Sequence, residues 1–96
     1  DEVEVVLTPI EFKIEQNYPN PFNPVTIIKY QLPKSSFVTI TVYDLLGNEI
    51  KELVREIKSE GIYQVEFDAA NLPSGVYFYN MQAGEISETK KMILMK

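Results

Sequence analysis

Catalysis near neutral pH needs a side chain that can trade a proton, hold a metal or attack an electrophile. This 96-residue chain has neither histidine nor cysteine. The commonest general base and the commonest transition-metal ligand are thus missing. Without a thiol there is no disulfide, thiolate ligand or sulfur nucleophile either. What remains is oxygen chemistry. Asp44 and Asn48 flank Gly47 and offer the donors that calcium takes, but calcium wants about six to eight oxygens from an acidic loop of defined spacing. A plain turn is the better reading. Asp68 with Asn71 reads as an Asx-type turn for the same reason. The other Asp and Glu residues fall into no paired acid and base constellation. The expectation is a domain that is not an enzyme and takes no cofactor or metal.

The second concentration of unusual residues is NYPNPFNPVT, residues 17 to 26, with three prolines and three asparagines around two aromatic rings and no charge. Pro19, Pro21 and Pro24 fix their own φ and bias Tyr18, Asn20 and Asn23 toward extended backbone. Ordering a residue costs roughly 1–2 kcal/mol, and proline lowers that cost by restricting the unfolded chain. The segment can therefore be rigid without a core of its own. Two roles follow. Tyr18 and Phe22 could tuck over an open sandwich edge while the asparagines bond nearby backbone. Alternatively, the stiff aromatic knuckle is a surface for another protein to grip, since aromatics dominate hot spots. Composition does not separate them.

The elements that must hold this loop alternate with period two, the signature of strands. In TIIKYQL, Ile28, Tyr30 and Leu32 share one face, and Pro33 closes the strand. In FVTITVYD, Val38, Ile40 and Val42 point inward, with stiff β-branched neighbours. DLLGNE supplies a hairpin turn, since Gly47 and Asn48 tolerate positive φ. Residues 49 to 58 are ambiguous between strand and short helix, because Ile50, Leu53, Val54 and Ile57 recur at helical spacing; the hairpin turn favours strand. Tyr63, Val65 and Phe67 alternate again. The segment from Val76 to Met81 is apolar on both faces and suits a central strand. Met92 to Met95 suit a strand covered on both sides, and Ile10, Phe12 and Ile14 give a first strand. About seven antiparallel strands in an all-β, immunoglobulin-like β-sandwich is the predicted fold. Residues 1 to 9 read as an acidic linker and 10 to 96 as the domain.

Size and charge bound the partners. A chain this short supports one modest core. Net charge −5 argues against nucleic acid, which needs clustered Lys and Arg. No apolar run is long enough to span a bilayer, and DEVEVVLTPI lacks the pattern of a signal peptide, so no membrane insertion is expected. An edge strand leaves room for weak pairing of two copies.

YPNPFNPVT, followed by IIKYQLP, VTITVYDLLGNEI, LPSGVYFYNMQAG and KKMILMK, closely resembles the type A C-terminal sorting domain of proteins exported by the type IX secretion system of Bacteroidetes-like bacteria. The resemblance runs from about Phe12 to Lys96 and rests on five pieces in order. It implies an immunoglobulin-like sandwich at the end of a larger cargo, serving as its export tag. Cargo would reach the periplasm by its own signal peptide. Outer-membrane machinery would then engage the folded tag, and a sortase-like cysteine peptidase at the cell surface would remove it, leaving cargo on the surface or outside the cell. The family's features fall on Tyr18 to Phe22, Asn23-Pro24, Asp44, Gly47, Gly61, Ser74-Gly75-Val76-Tyr77, Lys90, Lys91 and Lys96. Many members have Trp-Asp-Gly where this chain has Phe67-Asp68-Ala69.

Tyr77 has one reading, and the terminal lysines have two. Tyr77, near the start of its strand, fits a corner tyrosine whose hydroxyl bonds backbone. Lys90 and Lys91 fit edge protection. The rival is that the last strand is itself read, by strand addition and capture of the Lys96 carboxylate. Against the sorting tag stands a permanent immunoglobulin-like structural or adhesion module, or one like the flagellar hook-capping domain.

Overall fold

The computed structural model describes residues 11 to 96. Seven strands follow in order: β1 (Lys13–Ile14), β2 (Val25–Leu32), β3 (Ser36–Tyr43), β4 (Glu49–Lys58), β5 (Gly61–Asp68), β6 (Gly75–Ala83) and β7 (Ile86–Leu94). One sheet has the order β1-β2-β5 and the other β4-β3-β6-β7, with every strand pair antiparallel. The chain changes sheet after β2, β4 and β5. That is a sandwich of the immunoglobulin kind in which the fourth strand pairs beside the third.

Alternation explains which side chains fill the space between the sheets. Ile28, Tyr30 and Leu32 of β2 face Val38, Ile40 and Val42 of β3 and Tyr77, Tyr79 and Met81 of β6, all buried. Burying each such side chain is worth about 1.5–3 kcal/mol. β6 is interior to its sheet, as its two apolar faces predict. β7 differs from expectation: Met92 and Leu94 are buried, but the strand lies at a sheet edge and Met95 is largely exposed, so it is covered on one face rather than both.

Residues 49 to 58 form a strand, and the pairing shows why they mimic a helix. The eight residues of β3 face ten of β4, with register shifts between Ile40 and Thr41 and between Val42 and Tyr43. Leu53 and Ile50 are the extra residues. Each bulge resets the inside-outside phase, so apolar residues three apart reach the core side of one strand. Ile50 and Leu53 pack against the core beside buried Val54, whereas Ile57 is exposed.

The turns follow local chemistry. Asp44 O accepts the Gly47 N–H at 3.0 Å, and the Asp44 N–H donates to Asn48 O at 2.9 Å. Gly47 alone in this turn takes positive φ, at 90°; Asn48 does not share that role. Between β6 and β7, Gly84 at φ 62° and Glu85 at negative φ make a two-residue turn, with Ala83 opposite Ile86. Its mirror-image geometry suits strand twist. The first strand is shorter than its alternation suggests: only Lys13 and Ile14 pair with β2, opposite Gln31 and Tyr30. Ile10 and the acidic residues before it lie outside the described residues.

Candidate recognition surface

The loop of residues 17 to 24 begins with a buried polar cluster. Asn17 is enclosed, and its Nδ2 donates to Thr26 Oγ1 at 3.0 Å and to Pro19 O at 3.1 Å. Its Oδ1 accepts from Gln16 Nε2 at 2.7 Å, and the Thr26 hydroxyl donates to Pro19 O at 2.9 Å. No buried side-chain polar atom among the described residues lacks a partner. A satisfied network of this kind fixes one conformation, because losing any member strands the others in a low-dielectric site. Tyr18 is pinned as well, exchanging two backbone hydrogen bonds of 3.0 Å with Ile27. The Tyr18-Pro19, Asn20-Pro21 and Asn23-Pro24 bonds are cis.

The loop then reaches across to the other sheet. Phe22 N–H donates to Ile93 O at 2.9 Å, Met95 N–H donates to Phe22 O at 3.0 Å, and Ile93 N–H donates to Asn20 Oδ1 at 3.0 Å. Gln16 Nε2 adds a bond of 2.6 Å to Lys91 O. The C-terminal half of β7 thereby gains, from the loop, the partners a neighbouring strand would supply. Pro24 O accepts from Ala69 N–H at 2.8 Å, so the exit of the loop also holds the end of β5.

The two aromatics divide. Phe22 is 2% exposed, with its ring centroid 6.0 Å from that of Phe67, while Tyr18 is 80% exposed. The packing role predicted for the pair therefore holds for Phe22 and fails for Tyr18. Tyr18 pairs with Ile27, on whose side of the sheet a shallow hollow is lined by Tyr18, Glu15, Gln16, Ile27, Lys29 and Gln64. Tyr18 is thus fixed at its backbone while its ring stands open to solvent.

Gly75 and Tyr77 lie at the start of β6, Lys90 and Lys91 lie in β7, and Lys96 follows it. The Tyr77 hydroxyl donates to Pro73 O at 2.7 Å, four residues upstream, as a corner tyrosine does. Burial holds its pKa above the ordinary range. Lys96 N–H donates to Ser74 Oγ at 3.0 Å and its ammonium to Ala70 O, tying the chain end to the turn before Gly75, which opens β6 opposite Leu94. Lys90 lies opposite buried Tyr79, and Lys90 Nζ is 3.4 Å from the Glu88 carboxylate. Two charges on the core-facing side of an edge strand discourage a further strand from adding there. Lys91 is exposed.

The Asp44 carboxylate is engaged by its own turn, accepting from the N–H groups of Leu46 and Asn48 at 2.9 Å. Hydrogen bonds from Asn48, backbone first, hold its pKa below the ordinary carboxylate range. Asp68 Oδ1 likewise accepts from the Ala70 N–H. Sequence reasoning missed Tyr79, whose hydroxyl crosses the sandwich to Glu15 O at 2.7 Å and whose pKa is pushed up to about 12 by burial. It missed Gln16 too. A side chain at the right phase of a strand reads only as core, and nothing in its spacing names a distant carbonyl.

A family model for the secretion system C-terminal sorting domain matches residues 16–95, a span that begins at the loop's anchor and ends at the residue whose N–H closes it. The chain belongs to this family, the sorting domains of type IX secretion. A search of curated proteins found no match. A sorting domain of this kind marks a protein for export across the outer membrane, and the sandwich described above is the form the signal takes here. At the family's Trp-Asp-Gly position, Ala69 is buried, at negative φ, with its N–H bonded to Pro24 O. Glycine's freedom is not needed at this turn.

Proposed function

We propose that this domain is read as a folded object by the outer-membrane machinery of the type IX system, at the end of a cargo in transit through the periplasm. A sortase-like cysteine peptidase at the cell surface then cuts it away, within or before residues 1 to 9. The domain does no chemistry of its own. The family match carries the export role, and the division of the loop supports the reading of its parts. Asn17, Asn20 and Phe22 close the fold, while Tyr18, held by Ile27 and followed by Pro19, is the ring left for a partner. Lys91, in β7 of the other sheet, and Lys96 beyond that strand are accessory.

The test is to fuse the 96-residue chain to a reporter carrying a periplasmic signal peptide, in a type IX-competent cell. The reporter is expected in the medium or on the surface, with the domain missing from the mature protein by mass spectrometry. A reporter retained in the periplasm contradicts the export reading. An exported protein that keeps the domain contradicts cleavage and restores the permanent structural module.

A further inference from the structure

Among the described residues the two sheets present four edges, and three are short, covered or guarded. β1 is two residues long. The loop lies along the C-terminal half of β7, and Glu88 and Lys90 guard the other half. β4 carries two bulges and dense charge. β5 has none of these devices. It pairs with β2 over all eight residues without a register shift, and contains no proline or lysine. Among the described residues nothing pairs with its outer side. A regular uncovered edge of this length is a template for another strand.

Pairing with β2 sets the direction of the β5 backbone groups. Tyr18 and Glu15 bond Ile27 and Lys29 from the β1 side. Backbone groups alternate along a strand, so Ile28 and Tyr30 face β5, and their partners Val65 and Tyr63 face back. Ile62, Gln64, Glu66 and Asp68 therefore direct N–H and C=O outward.

We propose that β5 is a docking strand for a second copy of this chain, the two meeting antiparallel about a two-fold axis at Val65. In that register Ile62 lies opposite Asp68 of the second copy, and Gln64 opposite its Glu66. All the outward backbone groups are used, and no like charges face each other. Moving the axis to Glu66 sets two Glu66 carboxylates against each other. Moving it to Gln64 sets Asp68 against Glu60. Directly opposed like charges destabilise a strand pair, so charge selects Val65. The half-buried Val65 then packs on its twin and Tyr63 beside Phe67 of the second copy, an isologous contact in which each side supplies the same surface. With −5 on each chain the pairing is weak at low salt and strengthens as salt screens the repulsion.

The chain has no cysteine, so a single introduced thiol reports the register. At the axis, a non-hydrogen-bonded pair brings Cα atoms to about 4.5 Å, within disulfide reach. Val65→Cys should oxidise to a covalent dimer about tenfold faster than Gln64→Cys or Glu66→Cys, given the narrow geometry of a disulfide. Sedimentation of the unaltered chain should show dimer growing toward millimolar concentration. Gln64→Pro removes an outward N–H and no bond to β2, so it should melt like the parent and stay monomeric. A parent that stays monomeric, a Gln64→Pro variant that still dimerises, or equal oxidation at all three positions overturns the proposal. None of these results bears on the export reading.

Discussion

The two long sides of the sandwich meet water in opposite ways. Where β1 and β7 lie together, a proline-rich loop bridges the sheets with backbone hydrogen bonds, a buried asparagine network and the Phe22 ring. Where β4 and β5 lie together, the sheets are joined by residues 59 and 60 and decorated at the surface. Lys58 Nζ sits 2.8 Å from Glu56 and 4.9 Å from the Tyr63 ring, and Arg55 pairs with Glu52 at 3.3 Å and lies over Phe37. Ile57 and Ile62 remain exposed. The first side is closed by contacts that water cannot replace, so it should hold most of the local stability. The second relies on screened ion pairs, worth about 0–1 kcal/mol each.

That contrast can be broken by substitution. Phe22→Ala should be the most damaging, because large-to-small changes at a buried aromatic cost about 3–5 kcal/mol. Since about 1 kcal/mol shifts the melting temperature of a domain this size by about 4–8 °C, circular dichroism should record a fall of more than about 10 °C or no folded signal. Asn17→Ala should follow, at about 1–3 kcal/mol, by stranding its buried partners. On the opposite side, Arg55→Ala should stay within about 0.5 kcal/mol, as surface changes do. If Arg55→Ala costs as much as Asn17→Ala, the two sides are not different in kind.

The closed side also carries a group that titrates at high pH. Tyr79 links β6 to Glu15 on the closed side, and burial raises its folded pKa to about 12, above the usual 10.0. The unfolded state therefore releases this proton first as pH rises. The stability tied to protonated Tyr79 is intact below pH 10 and drains away between about 10 and 12. Melting measured across that window should fall more steeply for the parent than for Tyr79→Phe. Asp44 shifts the other way: its contribution is present at neutral pH and lost as pH falls through its lowered pKa, a smaller effect because the turn is exposed.

The sandwich was legible in the sequence wherever side chains alternate without interruption, as in β2, β3 and β5, because burial of one face imposes period two. β4 was harder, since two bulges turn that period into something resembling a helix. The loop was half legible. Its rigidity is local and follows from proline, but the acceptor on Asn20 finds its donor 73 residues away, at Ile93. No local pattern encodes such a partner. For the same reason Tyr18 and Phe22 looked equivalent, although register with β2 turns one outward and contact with β7 draws the other in.

In this loop Asn17, Asn20 and Phe22 hold the fold while Tyr18 offers a contact, and Tyr18→Ala removes the contact alone. Export of the reporter fusion should fall about tenfold, the loss of roughly 1.4 kcal/mol of binding, while the melting temperature stays within a degree or two of the parent. Unchanged export, or a loss of export matched by a loss of stability, would show that Tyr18 is not a contact separate from the fold.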